Sequence, residues 1–125
     1  MNLVDSSAWL EYFADGPNAG FFATAVEAPA RLVVPSITIL EVFKRVIQQR
    51  GEPEALHIVA VMQQGRVIDL DARIALHAAK LGHELKLPLA DSVILATARQ
   101  EKATIWTQDA DFEDLEGVQY RAQRS

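Results

Sequence analysis

The 125-residue chain contains no cysteine, which removes disulfide scaffolds, thiolate zinc sites and cysteine nucleophiles together and leaves the redox compartment open. It has no apolar stretch near the roughly 20 residues that a membrane-spanning helix needs. Its N-terminus lacks a basic start and meets acid at Asp5, so it does not read as a signal peptide. A cytoplasmic protein with no membrane role is the expectation. Basic residues are in deficit, 12 Lys+Arg against 17 Asp+Glu for a formal charge of −5, which argues against a simple electrostatic nucleic-acid binder. No phosphate-binding GxxxxGKS/T loop, GxSxG elbow or HExxH motif occurs, and His57, His77 and His83 make no zinc pattern. What remains is half hydrophobic and 23% charged, enough for one domain over residues 1–125 that buries roughly two-thirds of its unfolded surface.

Short apolar runs alternate with amphipathic stretches. Asn2-Leu3-Val4 reads as a strand feeding a helix around Ala8–Phe13, with Asp5 or Ser6 as its cap. Asp15-Gly16-Pro17 is a turn, and Phe21–Glu27 a second helix. Arg31–Val34 is a second strand, and a helix over Ile37–Gln49 follows it. Ile39, Leu40, Val42, Phe43, Val46 and Ile47 form its apolar face; Thr38, Glu41, Arg45 and Gln48 form a polar stripe. Gly51 stops it, and a helix over Pro53–Gln64 ends at Gly65. Arg66–Leu70 is a third strand, Asp71 caps the next helix, and Pro88 opens another. Thr104–Thr107 is a fourth strand and Val118–Tyr120 a short last one. This alternation predicts an α/β fold, a three-layer α/β/α sandwich around a central, mainly parallel sheet, which binds ligands at the carboxyl ends of its strands.

Four acids fall near that end. Asp5 ends the first strand, Asp109 follows the fourth, Asp91 lies in the first turn of the helix after Pro88, and Glu41 lies a turn into the helix after strand two. Singly, each has an ordinary use: Asp5 and Asp109 as helix caps, Asp91 as a dipole partner, Glu41 as an i, i+4 partner of Arg45. Jointly, converging carboxylates repel and need a cation between them. Hard oxygen ligands without histidine or cysteine select Mg²⁺ or Mn²⁺, and such an ion polarises a phosphoryl oxygen and activates water.

VDSSAWLEYF from Val4, SITILEVFKRV from Ser36, LPLADSVILATA from Leu87 and IWTQDADF from Ile105 resemble, in order, the four motif blocks of PIN-domain ribonucleases. More narrowly they resemble the VapC-type toxins of toxin–antitoxin pairs. The blocks run from residue 4 to residue 112, nearly the whole chain. The resemblance implies that Asp5, Glu41, Asp91 and Asp109 hold a divalent metal, the first three mainly the catalytic ion and the fourth a second ion or the attacking water. Thr107 and Ser6 match the hydroxyl residues that orient water or carboxylate. Asp111 is the alternative fourth acid, and Trp106 stands where an aliphatic strand residue is commoner, so it is taken as packing.

The activity so implied is Mg²⁺- or Mn²⁺-dependent endonucleolytic cleavage of single-stranded RNA by a metal-activated water. Setting the four acids aside brings the formal charge from −5 to −1. Lys44 and Arg45, a turn beyond Glu41, are either backbone contacts for RNA or a solvated face. The resemblance also implies a cognate antitoxin partner and a homodimer. An antitoxin segment would lie across an apolar groove, for which Trp9, Tyr12, Phe13, Phe21 and Phe22 are candidates unless they are core. Two other readings stand beside the toxin: a PIN-like RNA-processing nuclease, and a phosphoacceptor receiver domain using Asp69 or Asp71. Against the receiver, strand one lacks paired acids and no lysine follows strand four.

Overall fold

Strand β1 (Asn2–Val4) runs into helix α1 (Ser6–Phe13) with only Asp5 between them. Asp5 is extended and its carboxylate accepts the Ala8 N–H, the bond that starts the helix. Helix α2 (Ala19–Val26) and a 3-10 turn at Pro29–Arg31 lead to β2 (Leu32–Pro35) and then α3 (Ser36–Arg50). Gly51, at φ 90°, separates α3 from α4 (Glu52–Met62) in a conformation that side chains rarely adopt. There follow β3 (Arg66–Ile68), α5 (Ala72–Leu85), α6 (Leu89–Glu101), β4 (Thr104–Thr107), a 3-10 turn at Ala110–Phe112 and β5 (Val118–Tyr120). The computed structural model describes residues 1–124; Ser125, the last residue of the expected domain, lies outside them.

The strands form one sheet in the order β3-β2-β1-β4-β5, parallel throughout. Leu3 sits opposite Val33 on one side and Ile105 on the other. Because side chains alternate across a sheet, Val4, Leu32 and Val34 point to one face, and Leu3, Val33 and Ile105 to the other. The first face packs under α1, α2, α3 and α4, with Trp9, Phe22, Val42, Ile58 and Met62 at its centre. The second packs under α5 and α6, with Ile74, Leu81, Ile94 and Leu95. Burial on both faces is greatest at β1 and β2, which is why Leu3-Val4 and Leu32-Val33-Val34 read as short apolar runs. The expected three layers are present.

The strand order removes the receiver reading. A receiver-type sheet runs 2-1-3-4-5, whereas here β1 is central and Asp69 follows an edge strand. Asp71 is a helix cap, its carboxylate accepting the Ile74 N–H at 2.9 Å.

On α3 the structure corrects the expected faces. Thr38, placed in the polar stripe, is fully buried, and its hydroxyl donates to the Pro35 carbonyl at 2.7 Å. That local bond lets a threonine sit in a core. Leu40 and Ile47, placed on the apolar face, are 59% and 40% exposed. Helical period fixes which residues share a side, but not which side the neighbouring elements cover. Trp106 is half-buried, as packing requires; its indole N–H donates to Asn2 Oδ1 at 3.0 Å and its ring meets Phe21 at 5.1 Å.

Helices α5 and α6 meet at a glycine. A Cβ at Gly82 would stand 2.5 Å from Ser92 Oγ, so the absent side chain lets the start of α6, with Asp91, settle against α5. Gly82→Val is expected to cost about 1–3 kcal/mol by overpacking, read as a lower midpoint in thermal or urea unfolding.

Candidate functional site

In an open parallel sheet the ligand crevice lies beyond the carboxyl ends of the strands, where the chain order reverses. Here that point is between β1 and β4. Asp5 ends β1, Thr107 ends β4, and Asp109 follows two residues later as cap of the 3-10 turn. Asp91 comes from the first turn of α6 and Glu41 from α3.

Asp5 is only 2% exposed, and three donors hold it. Its Oδ1 accepts the Ser7 hydroxyl at 2.8 Å and the Ala8 N–H at 2.9 Å; its Oδ2 accepts the Thr107 hydroxyl at 2.5 Å. Burial pushes its carboxyl from 3.8 up to about 6, against the pull of those donors and with a push from Asp109. Thr107, wholly buried, also accepts the Asp109 N–H at 2.9 Å, so one hydroxyl fixes two acids. Asp109 Oδ1 in turn accepts the Asp111 N–H at 2.9 Å.

Asp91, Asp109 and Asp111 each offer a carboxylate oxygen within 4.8 Å of the others. Asp91 bears the strain of this crowding. Its carboxyl is pushed up to about 8, first by burial, then by a hydrogen bond with Asp111 and by the charges of Asp109, Asp111 and Asp5. Glu41 stands outside the three-acid group. Its Oε1 accepts the Ser6 hydroxyl at 2.5 Å, which ties α3 to the start of α1. Among the described residues it forms no ion pair with Arg45.

The donor set fits a hard divalent cation. All the ligands are carboxylate oxygens, and their mutual repulsion is the kind that a cation between them relieves. Asp91, Asp109 and Asp111 would hold it, with the Asp5 charge near enough to act on Asp91. When bound, such an ion neutralises charge on a phosphoryl oxygen and lowers the pKa of water.

The sequence reading therefore names Asp5, Glu41, Asp91, Asp109, Thr107 and Ser6, and all six lie at this end of the sheet. Asp111, kept as an alternative to Asp109, is gathered in beside it. Three residues escaped that reading: Ser7, Gln108 and Asn18. Asn18 is 1% exposed, and its amide donates to Gln108 Oε1 at 3.1 Å and to the Ala122 carbonyl at 3.0 Å. It thereby holds the segment before Asp109 against the turn after α1. Its one advance signal was its place beside the Asp15-Gly16-Pro17 turn.

The PIN domain model matches residues 3–118. The chain belongs to the PIN domain family. Among curated proteins none matches it at a significant level. Among solved structures, this PIN domain is similar to a chain of a toxin–antitoxin complex from Klebsiella pneumoniae, at 24% identity and a TM-score of 0.80, covering 95% of this chain and 96% of that one. It is similar also to Mycobacterium tuberculosis VapC20, described as a Sarcin-Ricin loop cleaving toxin, at 18% identity and a TM-score of 0.77, covering 94% and 97%. A chain of DNA-bound VapBC from Salmonella typhimurium matches at 17% identity and a TM-score of 0.73, covering 98% of each. At these identities the likeness is one of fold.

The Thr107 hydroxyl is the largest of the pulls that keep Asp5 ionisable. Thr107→Val is expected to raise the Asp5 pKa further, visible in a carboxyl-carbon NMR titration, and to cost about 1.5–3 kcal/mol. Thr107→Ser should restore both.

Proposed function

We propose that this PIN domain is a metal-dependent endoribonuclease that cuts single-stranded RNA, the toxin of a cytoplasmic toxin–antitoxin pair, with the chain acting as one unit. The observation that supports it is the gathering of Asp91, Asp109 and Asp111 where β1 and β4 end, joined to Asp5 through the Thr107 hydroxyl that Asp5 and the Asp109 N–H share. Mg²⁺ or Mn²⁺ is the cofactor this donor set favours. Glu41, held by Ser6, completes the acidic edge where a scissile phosphate would enter.

Within this arrangement the chain's own groups have distinct tasks. Thr107 and Ser7 fix the Asp5 carboxylate, so that no side-chain reorganisation accompanies the reaction. Asp91, Asp109 and Asp111 supply negative charge at one point and repel substrate phosphate until a cation is present. The toxin role is supported by the likeness to VapC20 and to a chain of a toxin–antitoxin complex, over nearly the full length of each. An antitoxin protein is the partner it implies, and a second copy of the chain is proposed as the other. Trp9 and Phe22 are fully buried core, which leaves Tyr12, Phe13 and Phe21 as the half-buried aromatics available to such partners.

The test is cleavage of labelled single-stranded RNA with Mg²⁺ or Mn²⁺, beside an EDTA control. Cutting that needs the ion supports the reading. Failure to cut RNA together with failure to bind either ion in calorimetry would sink it.

A further inference from the structure

Asn18 stands at the N-cap position of α2, where an asparagine ordinarily turns its side chain to the free N–H groups of the helix. Here no bond runs from that side chain to α2. Its amide nitrogen reaches instead to Gln108 Oε1 at 3.1 Å and to the Ala122 carbonyl at 3.0 Å, 90 and 104 residues away. The Ala122 carbonyl only accepts, which fixes the end of the amide that faces it. The other end, Oδ1, has no partner among the described residues, although Asn18 is only 1% exposed. A buried oxygen left unpaired destabilises the fold, and so does a cap forgone. Local rules broken in two ways at one residue point to a gain made elsewhere.

The turn that carries Asn18 is built to hold it. Near the end of α1 the Glu11 carboxylate accepts the Asn18 N–H at 2.8 Å. It lies in the space that a Cβ at Gly16 would take, so a larger residue there would push it off. The far end of the clamp is the stretch that carries the acids. Gln108 sits between Thr107, whose hydroxyl holds Asp5, and Asp109. The Gln108 N–H reaches the Ser7 hydroxyl at 3.4 Å, and that hydroxyl itself donates to Asp5. The Thr107 carbonyl accepts the Arg121 N–H at 3.1 Å, so the chain after β5 runs beside Thr107 and Gln108. One amide group, that of Asn18, ties the two segments together. Beyond Asp109 the next anchor is Phe112, which is fully buried.

A carboxylate loses freedom when it takes a cation, and one whose backbone is already fixed loses less. Groups that orient a ligand without touching the ion set its affinity in this way. We propose that Asn18 is a positioning residue of the acidic site. By clamping Gln108 and Ala122 it fixes the backbone at Asp109, so that this carboxylate meets those of Asp91 and Asp111 in an arrangement one divalent cation can bridge. Asn18 itself touches neither ion nor substrate. The inference rests on the metal reading of the three-acid group.

The test is Mn²⁺ titration calorimetry at one fixed pH, beside amide hydrogen exchange of the metal-free protein read by NMR. Asn18→Ser keeps a hydroxyl able to cap α2 but cannot reach Gln108. Gln108→Met keeps the length of that side chain and loses the acceptor. Neither changes the charge around the acids. Each variant is expected to weaken Mn²⁺ binding about tenfold, and the double variant no further, because both act through one bond. Ile58→Val, in the core under α4, lowers the unfolding midpoint and leaves the affinity unchanged, which separates aim from stability. The Asp109 amide should exchange faster in Asn18→Ser and in Gln108→Met than in Ile58→Val. Affinity within twofold of wild type in Asn18→Ser, losses that multiply in the double variant, or an equal loss in Ile58→Val overturns the proposal. If the wild type binds no Mn²⁺, the metal reading fails by itself. The clamp on Asp109 is then decided by exchange alone, and an Asp109 amide no faster in Asn18→Ser than in Ile58→Val overturns it.

Discussion

Asp91→Asn is expected to abolish the proposed metal-dependent RNA cleavage and, in the same protein, to raise the melting temperature of the metal-free fold at alkaline pH. The first effect follows from the loss of a charged oxygen at the point where three carboxylates meet, and is expected to be at least about a hundredfold. The second follows from repulsion. The carboxyl of Asp91 has an ordinary value of 3.8 and is pushed up to about 8 by burial and by Asp111, Asp109 and Asp5. A proton retained only in the folded state stabilises that state fully below the unfolded value. That stabilisation is lost as pH rises through the folded one. The wild type and the Asp91→Asn variant should therefore melt together near pH 4 and diverge by about pH 8.5, with the variant higher. Melting curves in EDTA at the two pH values measure this. A variant that melts lower than wild type at alkaline pH would mean that the carboxylate is favourably held and that the acids do not repel. Asp5→Asn is expected to lose cleavage in the same way while keeping an N-cap, since asparagine caps α1 as aspartate does.

Adding Mg²⁺ or Mn²⁺ should undo that destabilisation. An ion present at about a hundred times its dissociation constant adds roughly 2.7 kcal/mol to a fold that alone binds it, so the midpoint of unfolding rises by several degrees and falls back with EDTA. The rise should be larger at pH 8 than at pH 5, because ligands must be deprotonated to bind. Near neutrality Asp91, at about 8, is still largely protonated and Asp5, at about 6, mostly ionised. Binding should therefore expel close to one proton. Titration calorimetry in buffers of different ionisation enthalpy counts it. Binding without proton release would separate the ion from Asp91.

Much of the architecture was legible because two local signals agreed at each boundary. Val4-Asp5 reads as the end of a strand and as a cap, and it is both; Asp71 reads as a cap and is one. The position of the acids was legible because a parallel sheet puts the residues that follow its strands at one end. What the sequence concealed depends on contacts between distant segments. Nothing near Asn18 announces Gln108, 90 residues away, or the Ala122 carbonyl, 104 away. Nothing in the sequence sets Ser7 apart from its neighbour; only the fold shows Ser7 turned to Asp5 and Ser6 to Glu41. The α3 faces misled for the opposite reason. That helix has apolar residues on more sides than its neighbours cover, so Leu40 and Ile47 stay outside while Thr38 goes in.

The central position of β1 also sets when the acidic site can assemble during synthesis. The first strand made is the middle one, between β2 and β4, and Asp5 meets its Thr107 partner only across 102 residues of chain. Asp109 and Asp111 are later still. A ribosome making this protein therefore carries an unassembled acidic site until β4 and the turn after it have cleared the exit tunnel. Translation that stops before Thr107 releases a fragment in which Asp5 has no hydroxyl from β4 to hold it, so the acidic site assembles only in a chain made through Asp111.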